Sequence, residues 1–126
     1  MQKDELTERI IGCCFQVHRE LGAGFPEKVY QSALVASMKT AQLFVERERR
    51  FTVRFGDVSV GAFRVDLLIE NRVIVEVKAV TGTMPSVFAA QLLAYLKAAG
   101  MPVGLLVNFG NPSCHVKRVV WSPVTP

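Results

Sequence analysis

The sequence has few cysteines, and those it has form no recognisable pattern. Cys13 and Cys14 are adjacent and Cys114 stands alone, so the count is odd and no CxxC pair exists. This arrangement argues against a disulfide framework and against a zinc cluster. No partner residues for thiol catalysis accompany them. Free thiols are typical of a reducing compartment, so we expect a cytoplasmic protein.

Long apolar runs and linkers are also lacking. No stretch of about 18 apolar residues occurs, so no membrane span is expected. The polar start, MQKDELTER, does not resemble a signal peptide. No internal repeat or Ser/Gly/Pro-rich tract divides the 126 residues. We therefore expect a single domain over residues 1–121, followed by a short tail over residues 122–126.

The composition is that of a folded chain with a mild excess of positive charge. Half of the residues are hydrophobic, which excludes intrinsic disorder. Fifteen Lys and Arg residues stand against eleven Asp and Glu residues, giving a net charge of +4. This charge is compatible with a partner that bears phosphates but does not require one.

Hydrophobic periodicity predicts helices followed by a sheet. Spacing of three and four residues indicates helices over residues 4–21, 26–42 and 86–100, with Asp4 and Ser86 as N-caps. Alternation or short apolar runs indicate strands over residues 51–55, 58–60, 63–70, 72–80, 103–107 and 115–121, with a bulge or bend at Gly61. The order predicts a mixed sheet flanked by helices, in which strand 103–107 runs parallel to strand 72–80.

Residues 63–80, FRVDLLIENRVIVEVKAV, are the most informative segment. A tight hairpin centred on Asn71 would place Asp66 directly opposite Glu76. Side chains alternate between faces, so the odd-numbered residues, Phe63 and Val65 included, form an apolar face that we expect to lie in the core. The even-numbered face carries both carboxylates together with Lys78.

Two interpretations of this polar face remain open. Such an alternation most often forms a solvated face with an ion pair. However, Leu68 and Ile74 lie on the same face, and opposed carboxylates repel each other. A divalent cation would remove this repulsion, and Mg²⁺ commonly binds one or two carboxylates in proteins.

Basic residues are densest just before this segment. Arg47, Arg49 and Arg50 are followed by Arg54. They could hold phosphates that flank a cleaved bond, or they could protect an edge strand from aggregation. The two uses are compatible with each other.

The spacing of Asp66, Glu76 and Lys78 resembles the PD-(D/E)xK nuclease signature, with Val65 in place of the proline. GFPEKVY, residues 24–30, is a GxxExxY motif. With VER (45–47), AQLLAYLKAAG (90–100) and GLLVNFG (104–110), these motifs make the chain similar to the bacterial GxxExxY family. That family is grouped with PD-(D/E)xK nucleases, which implies a restriction-endonuclease-like three-layer core of the α/β (α+β) class.

The resemblance implies roles for individual residues. Asp66, Glu76 and the backbone carbonyl of Val77 would hold Mg²⁺ or Mn²⁺, and Lys78 would position the attacking water and stabilise negative charge. Glu27 would complete the metal site. On its own, Glu27 would instead be read as a glutamate favoured at a helix N-terminus.

Further residues are implied as substrate contacts. Gln91 and Tyr95 resemble a QxxxY motif that contacts the site or the DNA in related nucleases, although Tyr95 could equally lie in the core. Tyr30, one turn after Glu27, could orient Glu27, contact substrate or pack in the core. Independently of the resemblance, Arg47 and Arg49 of the basic cluster are candidates to bind phosphates.

The resulting functional hypothesis is a metal-dependent nuclease that hydrolyses phosphodiester bonds in nucleic acid, with DNA favoured over RNA. The alternative is a non-catalytic module that binds nucleic acid or protein on a nuclease-like fold. A homodimer, or a subunit of a larger complex, is compatible with either hypothesis.

Overall fold

Three helices and five strands are present in the part of the chain that the structure describes. A computed structural model describes residues 4–123. None of the helices in this range is both long enough and apolar enough to cross a bilayer. The elements are α1 (Glu5–Leu21), α2 (Glu27–Thr40), β1 (Val45–Phe55), β2 (Val58–Ile69), β3 (Val73–Lys78), α3 (Ser86–Ala99), β4 (Val103–Asn108) and β5 (His115–Val120).

The helix boundaries follow from local capping. The Asp4 side chain accepts a hydrogen bond from the backbone N–H of Leu6 and so caps α1, as predicted. Gly22, with φ of 70°, ends that helix. The prediction that Ser86 caps α3 is wrong, because α3 begins at Ser86 and Pro85 precedes it without a side-chain cap.

The five strands form one mixed sheet in the order β1-β2-β3-β4-β5. All neighbours are antiparallel except β3 and β4, which are parallel with α3 as the crossover between them. This confirms the predicted crossover. The parallel pair is central and its residues are buried, apart from the half-buried Lys78.

The strands at the start of the sheet are longer than predicted. β1 begins at Val45 rather than at residue 51, and β2 runs without interruption from Val58 to Ile69. The bulge or bend expected at Gly61 is observed as a register shift: Val53 pairs with Gly61 and Arg54 with Ser59, so Val60, next to Gly61, has no partner in β1. A polar, charged stretch such as residues 45–50 gives no apolar alternation, which is why the pattern did not reveal this part of β1.

Helices cover both faces of the sheet, so the core has two parts and the molecule has three layers. One cluster packs α1 and α2 against the sheet and includes Leu34, Leu67 and Val75. The other packs α3 against the opposite face and includes Leu68, Ile74 and Leu92. Burying each such side chain stabilises the fold by about 1.5–3 kcal/mol. The predicted α/β (α+β) fold of a mixed sheet flanked by helices is confirmed.

Side chains of β2 change faces near Asp66. Leu67 packs in the α1–α2 cluster, but Val65 and Phe63 pack in the α3 cluster. The prediction that all three share one core face is therefore wrong. In the neighbouring strand β1, Arg47 pairs with Leu67 and Arg49 pairs with Val65, so Glu48 lies between these two pairs. Glu48 has φ of 49°, and such a left-handed residue interrupts the regular alternation of side chains along an extended strand.

Candidate active site

Asp66 and Glu76 lie where β2 separates from β3. The two strands are paired from Leu67 to Ile69 of β2, in the register predicted from a hairpin centred on Asn71. At Asp66, where this backbone pairing has ended, side chains provide the contacts between β2 and β3. The Glu76 carboxylate accepts a hydrogen bond of 2.7 Å from the backbone N–H of Asp66, and the Asp66 carboxylate accepts one of 2.7 Å from Val77. The predicted proximity of the two carboxylates is thereby confirmed.

Burial penalises the charge on both carboxylates. Glu76 is 6% exposed, and its burial, together with the charge of Asp66, raises its pKa to about 7. Burial likewise raises the pKa of Asp66, although the hydrogen bond from Val77 and the charge of Lys78 act in the opposite direction. Displaced pKa values of this kind are common at sites of catalysis and ion binding.

Lys78 follows on the same side of β3 as Glu76. Alternation along β3 places Ile74, Glu76 and Lys78 on the face covered by α3. The Lys78 ammonium lies 4.3 Å from the ring centre of Phe88, which belongs to α3. This cation–π contact orients the lysine. The charge of Lys78 partly opposes the rise in the pKa of Asp66 and of Glu76 that burial causes.

Glu27 occupies the first turn of α2 and is half-buried. Its charge contributes to the raised pKa of Glu76, so the two groups interact across the site. Within residues 4–123, however, no three His, Cys, Asp or Glu side chains converge closely enough to hold a metal ion. The metal-ligand role of Glu27 therefore stays a prediction.

Asp66 and Glu76 form a donor set that fits a hard divalent cation. Asp66 and Glu76 supply oxygen ligands, which Mg²⁺ and Mn²⁺ prefer. Both carboxylates are held in low-dielectric surroundings that penalise their charge, and a cation would offset that penalty. The backbone carbonyl of Val77, the residue after Glu76, is a further oxygen that could bind the ion. These residues fit a divalent ion, whereas Glu27 would have to move toward them.

Tyr95 borders the carboxylates from α3, while Gln91 lies one turn earlier on the helix surface. The Tyr95 ring stacks on Phe63 with 4.2 Å between ring centres. Burial, followed by the charges of Glu76 and Asp66, raises the pKa of the Tyr95 hydroxyl. Gln91 is exposed. Tyr95 thus combines a packing contact with proximity to the site, and a substrate role for either residue stays a prediction.

Tyr30 does not offer a surface to substrate. Its side chain is fully buried and stacks on Phe109, with 4.5 Å between ring centres. Its hydroxyl donates to the carbonyl of Gly22 at 2.6 Å and accepts from the N–H of Phe25 at 3.2 Å. The packing alternative accounts for these contacts, and the expectation of substrate contact needs correction for this reason.

Arg47 and Arg49 lie on opposite faces of β1, because the change of alternation at Glu48 separates them. Arg47 donates to the Ser32 hydroxyl of α2 at 3.2 Å. Arg49 bonds to Glu46 at 3.1 Å and lies over the ring of Phe51 on the α3 side. The two arginines therefore do not form one phosphate-binding cluster with each other.

Sequence reasoning missed the charged residues that join α2 to the hairpin. Glu48 accepts from Lys28 of α2 at 2.6 Å and pairs with Arg64 of β2 at 3.3 Å. The hydrogen bond from Lys28 is the main reason that the pKa of Glu48 is lowered. The network connects the helix turn that bears Glu27 to the strand that bears Asp66. A positive φ at a glutamate has no signal in the sequence.

Two buried asparagines hold the segment that follows Lys78. Asn108 accepts from the N–H of Val80 and donates to the carbonyl of the same residue, both at 2.9 Å. Asn111 binds the N–H and carbonyl of Gly82 in the same manner, at 2.7 and 2.9 Å. In the sequence, the two asparagines are marked by an NxxN spacing after a buried strand.

Comparison with known proteins agrees with this geometry. The sequence model of the PD-(D/E)XK nuclease superfamily matches residues 4–119, nearly the whole chain. The chain belongs to the PD-(D/E)XK nuclease superfamily. Divalent metals are the general cofactors of nucleases in this superfamily.

A solved structure is similar to this PD-(D/E)XK chain in fold. The crystal structure of SSO0001 superposes with a TM-score of 0.60 at 21% sequence identity, over 96% of this chain. The match spans 60% of the SSO0001 chain, so this chain corresponds to part of that protein. A comparison with curated proteins gives no match.

Proposed function

We propose that this protein is a metal-dependent nuclease that hydrolyses phosphodiester bonds, with DNA favoured over RNA. The observation that carries the proposal is the contact between buried Glu76 and half-buried Asp66, with Lys78 two residues after Glu76 on the same face of β3. Two carboxylates held together beside an ammonium are groups that metal-assisted phosphodiester hydrolysis uses. Membership of the PD-(D/E)XK superfamily supports the same conclusion.

Each residue has a distinct task in this proposal. Asp66 and Glu76, with the Val77 carbonyl, would hold Mg²⁺ or Mn²⁺, and Glu27 would join them when substrate binds. The bound ion would supply Lewis-acid polarisation of the phosphoryl group and lower the pKa of water. The Lys78 ammonium would stabilise the negative charge that develops on the phosphoryl oxygens. The packed layer of α3 would keep bulk water from this face.

We also infer that the chain belongs to the GxxExxY group within the superfamily. The hydrogen bonds of Tyr30 give this motif a physical basis, because they fix the loop between α1 and α2. Gly24, with φ of 116°, provides a backbone conformation that other residues rarely adopt. The motif would thereby set the position of Glu27 at the start of α2.

Cleavage of labelled single- and double-stranded DNA and RNA with Mg²⁺ or Mn²⁺ tests the proposal. Asp66→Asn, Glu76→Gln and Lys78→Met should each reduce the rate by at least about a hundredfold. Glu20→Gln and Lys97→Met remove the same types of charge from exposed helix positions and should retain the wild-type rate. Activity that persists in Asp66→Asn and Lys78→Met would come from a contaminant and would refute the proposal.

The non-catalytic alternative makes a different prediction for the same preparations. A binding module would show no cleavage with either ion and no heat of Mn²⁺ binding in a calorimetric titration. It would still bind nucleic acid or a protein partner, and Asp66→Asn would leave that binding unchanged. The geometry favours the nuclease, because a binding surface has no need of a buried and a half-buried carboxylate held against each other.

A further inference from the structure

The hairpin of β1 and β2 extends beyond the rest of the sheet. β3 pairs with β2 only at residues 67–69, whereas β1 and β2 remain paired with each other out to Phe55 and Val58. We call residues 50–64 the ribbon arm. Its strands of about six residues are about 20 Å long. Phe51 stacks on Phe63, and Phe63 stacks on Tyr95 of α3, which anchors the base of the arm.

The outer part of the ribbon arm has little contact with the protein. Residues 54–62 are all exposed. The tip carries three apolar side chains, with Phe55 80% exposed, Val58 61% and Val60 58%. Apolar side chains of this size are rarely left in water as a group unless they contact a ligand.

The charges of the ribbon arm point to an anionic ligand. Arg50 and Arg64 are direct cross-strand partners, and like charges in this position destabilise a hairpin. Arg64 is partly compensated by Glu48 at 3.3 Å. Arg50 and Arg54 have no ion pair among residues 4–123. Phosphate groups would compensate these arginines and relieve the repulsion.

We propose that the ribbon arm binds duplex DNA by entering its major groove, with Arg50, Arg54 and Arg64 on the phosphates and Phe55 against the bases. The inference deepens the proposed function, since it names the substrate as double-stranded DNA. An exposed two-stranded ribbon fits the major groove of B-DNA, which is about 12 Å wide. The major groove of duplex RNA is too narrow and deep for side chains to read.

Two other uses of the ribbon arm agree less well with its residues. Arginines on an edge strand can protect it from aggregation. The exposed apolar side chains at the tip would instead promote aggregation, so protection does not account for them. Single strands are held by several exposed aromatic rings on which bases stack. Here Phe51 and Phe63 are half-buried against Tyr95, which leaves Phe55 as the exposed ring of the arm.

Fluorescence anisotropy with a labelled DNA duplex of about two helical turns tests this inference. The titration is made in EDTA, so that binding is measured without cleavage. Arg50→Ala/Arg54→Ala should weaken binding at least about tenfold and reduce the slope of log Kd against log salt by about two. Phe55→Ser should weaken binding without changing that slope, because it removes no charge.

A matched control removes two exposed cations elsewhere. Arg19→Ala/Lys97→Ala takes the same charge from α1 and α3 and should change Kd by less than about twofold. All the substituted side chains are exposed, and circular dichroism verifies that each variant is folded. Equal binding by the arm and control variants would overturn the inference, as would tighter binding of single-stranded DNA or duplex RNA of the same sequence.

Two further outcomes distinguish this inference from the proposed function. If no cleavage is found but the arm variants still lose DNA binding, the inference holds and the nuclease proposal fails. If Phe55→Ser instead converts a dimer to a monomer in sedimentation and leaves DNA binding unchanged, the tip contacts a second copy of the chain and the inference fails.

Discussion

Asp66 and Glu76 each accept a hydrogen bond from the strand of the other, Glu76 from the N–H of Asp66 and Asp66 from the N–H of Val77, both at 2.7 Å. These bonds replace the regular ladder where β2 and β3 separate. They fix the two carboxylates side by side in a buried place that penalises their charge. The fold therefore carries an electrostatic cost that a cation would offset.

Glu76→Gln should stabilise the metal-free protein above pH 7. The pKa of Glu76 in the folded state is about 7, above its ordinary value of 4.5, so the native state binds more protons than the unfolded state between these values. The free energy of unfolding therefore falls as pH rises through this window, by at most about 3 kcal/mol. The glutamine of Glu76→Gln has no charge to desolvate, so the free energy of unfolding of this variant should fall less as the pH rises. Urea unfolding at pH 5 and pH 8 measures the difference.

Glu20→Gln provides the control for this pH effect, because Glu20 is exposed on α1. This variant should retain the wild-type loss of stability between pH 5 and pH 8. If the free energy of unfolding has the same pH dependence in wild type and in Glu76→Gln, the burial of Glu76 does not penalise its charge. A cation would then have no electrostatic cost to offset at this position.

Divalent cations should raise the melting temperature of the wild-type protein at pH 7.5. A ligand that binds only the folded state stabilises it by about 2.7 kcal/mol at a concentration a hundred times its Kd. Mn²⁺ would bind the deprotonated carboxylates and remove their mutual repulsion. Asp66→Asn and Glu76→Gln each remove one charged ligand, so their melting temperature should respond far less. Thermal denaturation with and without millimolar Mn²⁺ measures this shift.

The response of Glu27→Gln to Mn²⁺ separates two roles for Glu27. If Glu27 joins the site only with substrate, this variant should keep the thermal shift with Mn²⁺ alone but lose cleavage. Ca²⁺ in place of Mn²⁺ serves as the control for general ionic effects. An equal shift in Asp66→Asn and in wild type would show that the ion binds elsewhere on the chain.

The sequence predicted the sheet well where local chemistry decides it. The turn at Glu70 and Asn71, both with φ of 53°, sets the register of β2 and β3, and asparagine is a residue that tolerates this conformation. The crossover through α3 follows from its length and from the apolar run of β4. The break in alternation at Glu48 could not be predicted, because glutamate does not favour a positive φ and tertiary contacts hold it there.

The candidate site was predictable in part for the same reason. Asp66, Glu76 and Lys78 follow from strand periodicity and register, which are properties of neighbouring residues. The burial of Tyr30 depends on Phe109, which is distant in the chain. The clamp of Asn108 on Val80 likewise joins segments that are adjacent only in the folded sheet. The NxxN spacing marks the asparagines, but no pattern within either segment indicates which backbone groups they bind.

Phe88→Leu should lower the cleavage rate less than Lys78→Met does. Lys78 lies 4.3 Å from the Phe88 ring centre, and a cation–π contact of about 0.5–1 kcal/mol corresponds to a change of about two- to fivefold. Leucine preserves an apolar side chain on α3 but not the aromatic face. Single-turnover cleavage measures the rate, and the thermal shift with Mn²⁺ should be unchanged. Val87→Leu, on the exposed side of α3, is the control.

A larger loss in Phe88→Leu than in Lys78→Met would contradict this assignment, because the aromatic ring would then act on something other than the lysine. Phe88→Tyr offers a rescue, since it restores an aromatic face at the same position. It should return the rate to within about twofold of wild type. Failure of this rescue in a folded variant would likewise argue against the cation–π contact.

Asn108→Ala should destabilise the protein and also slow cleavage per folded molecule. The Asn108 side chain is fully buried, and its carbonyl accepts from the N–H groups of Val80 and Gly110 while its amide donates to the carbonyl of Val80. Alanine leaves these groups without partners, which costs about 2–4 kcal/mol. Asn108→Asp should cost at least as much, because a carboxylate cannot donate to the Val80 carbonyl. Ser113→Ala, an exposed change in the same loop, is the control.

The loss of activity in Asn108→Ala has a separate cause from the loss of stability. Val80 lies two residues after Lys78, so the amide clamp fixes the segment that leads from the lysine into α3. Cleavage measured well below the melting temperature should therefore fall several-fold even when all molecules are folded. Gly110→Ala should act similarly, since an added Cβ would lie 2.3 Å from the Val80 carbonyl oxygen and push the segment away. Full activity in a folded but destabilised Asn108→Ala variant would show that the clamp stabilises the fold without contributing to cleavage.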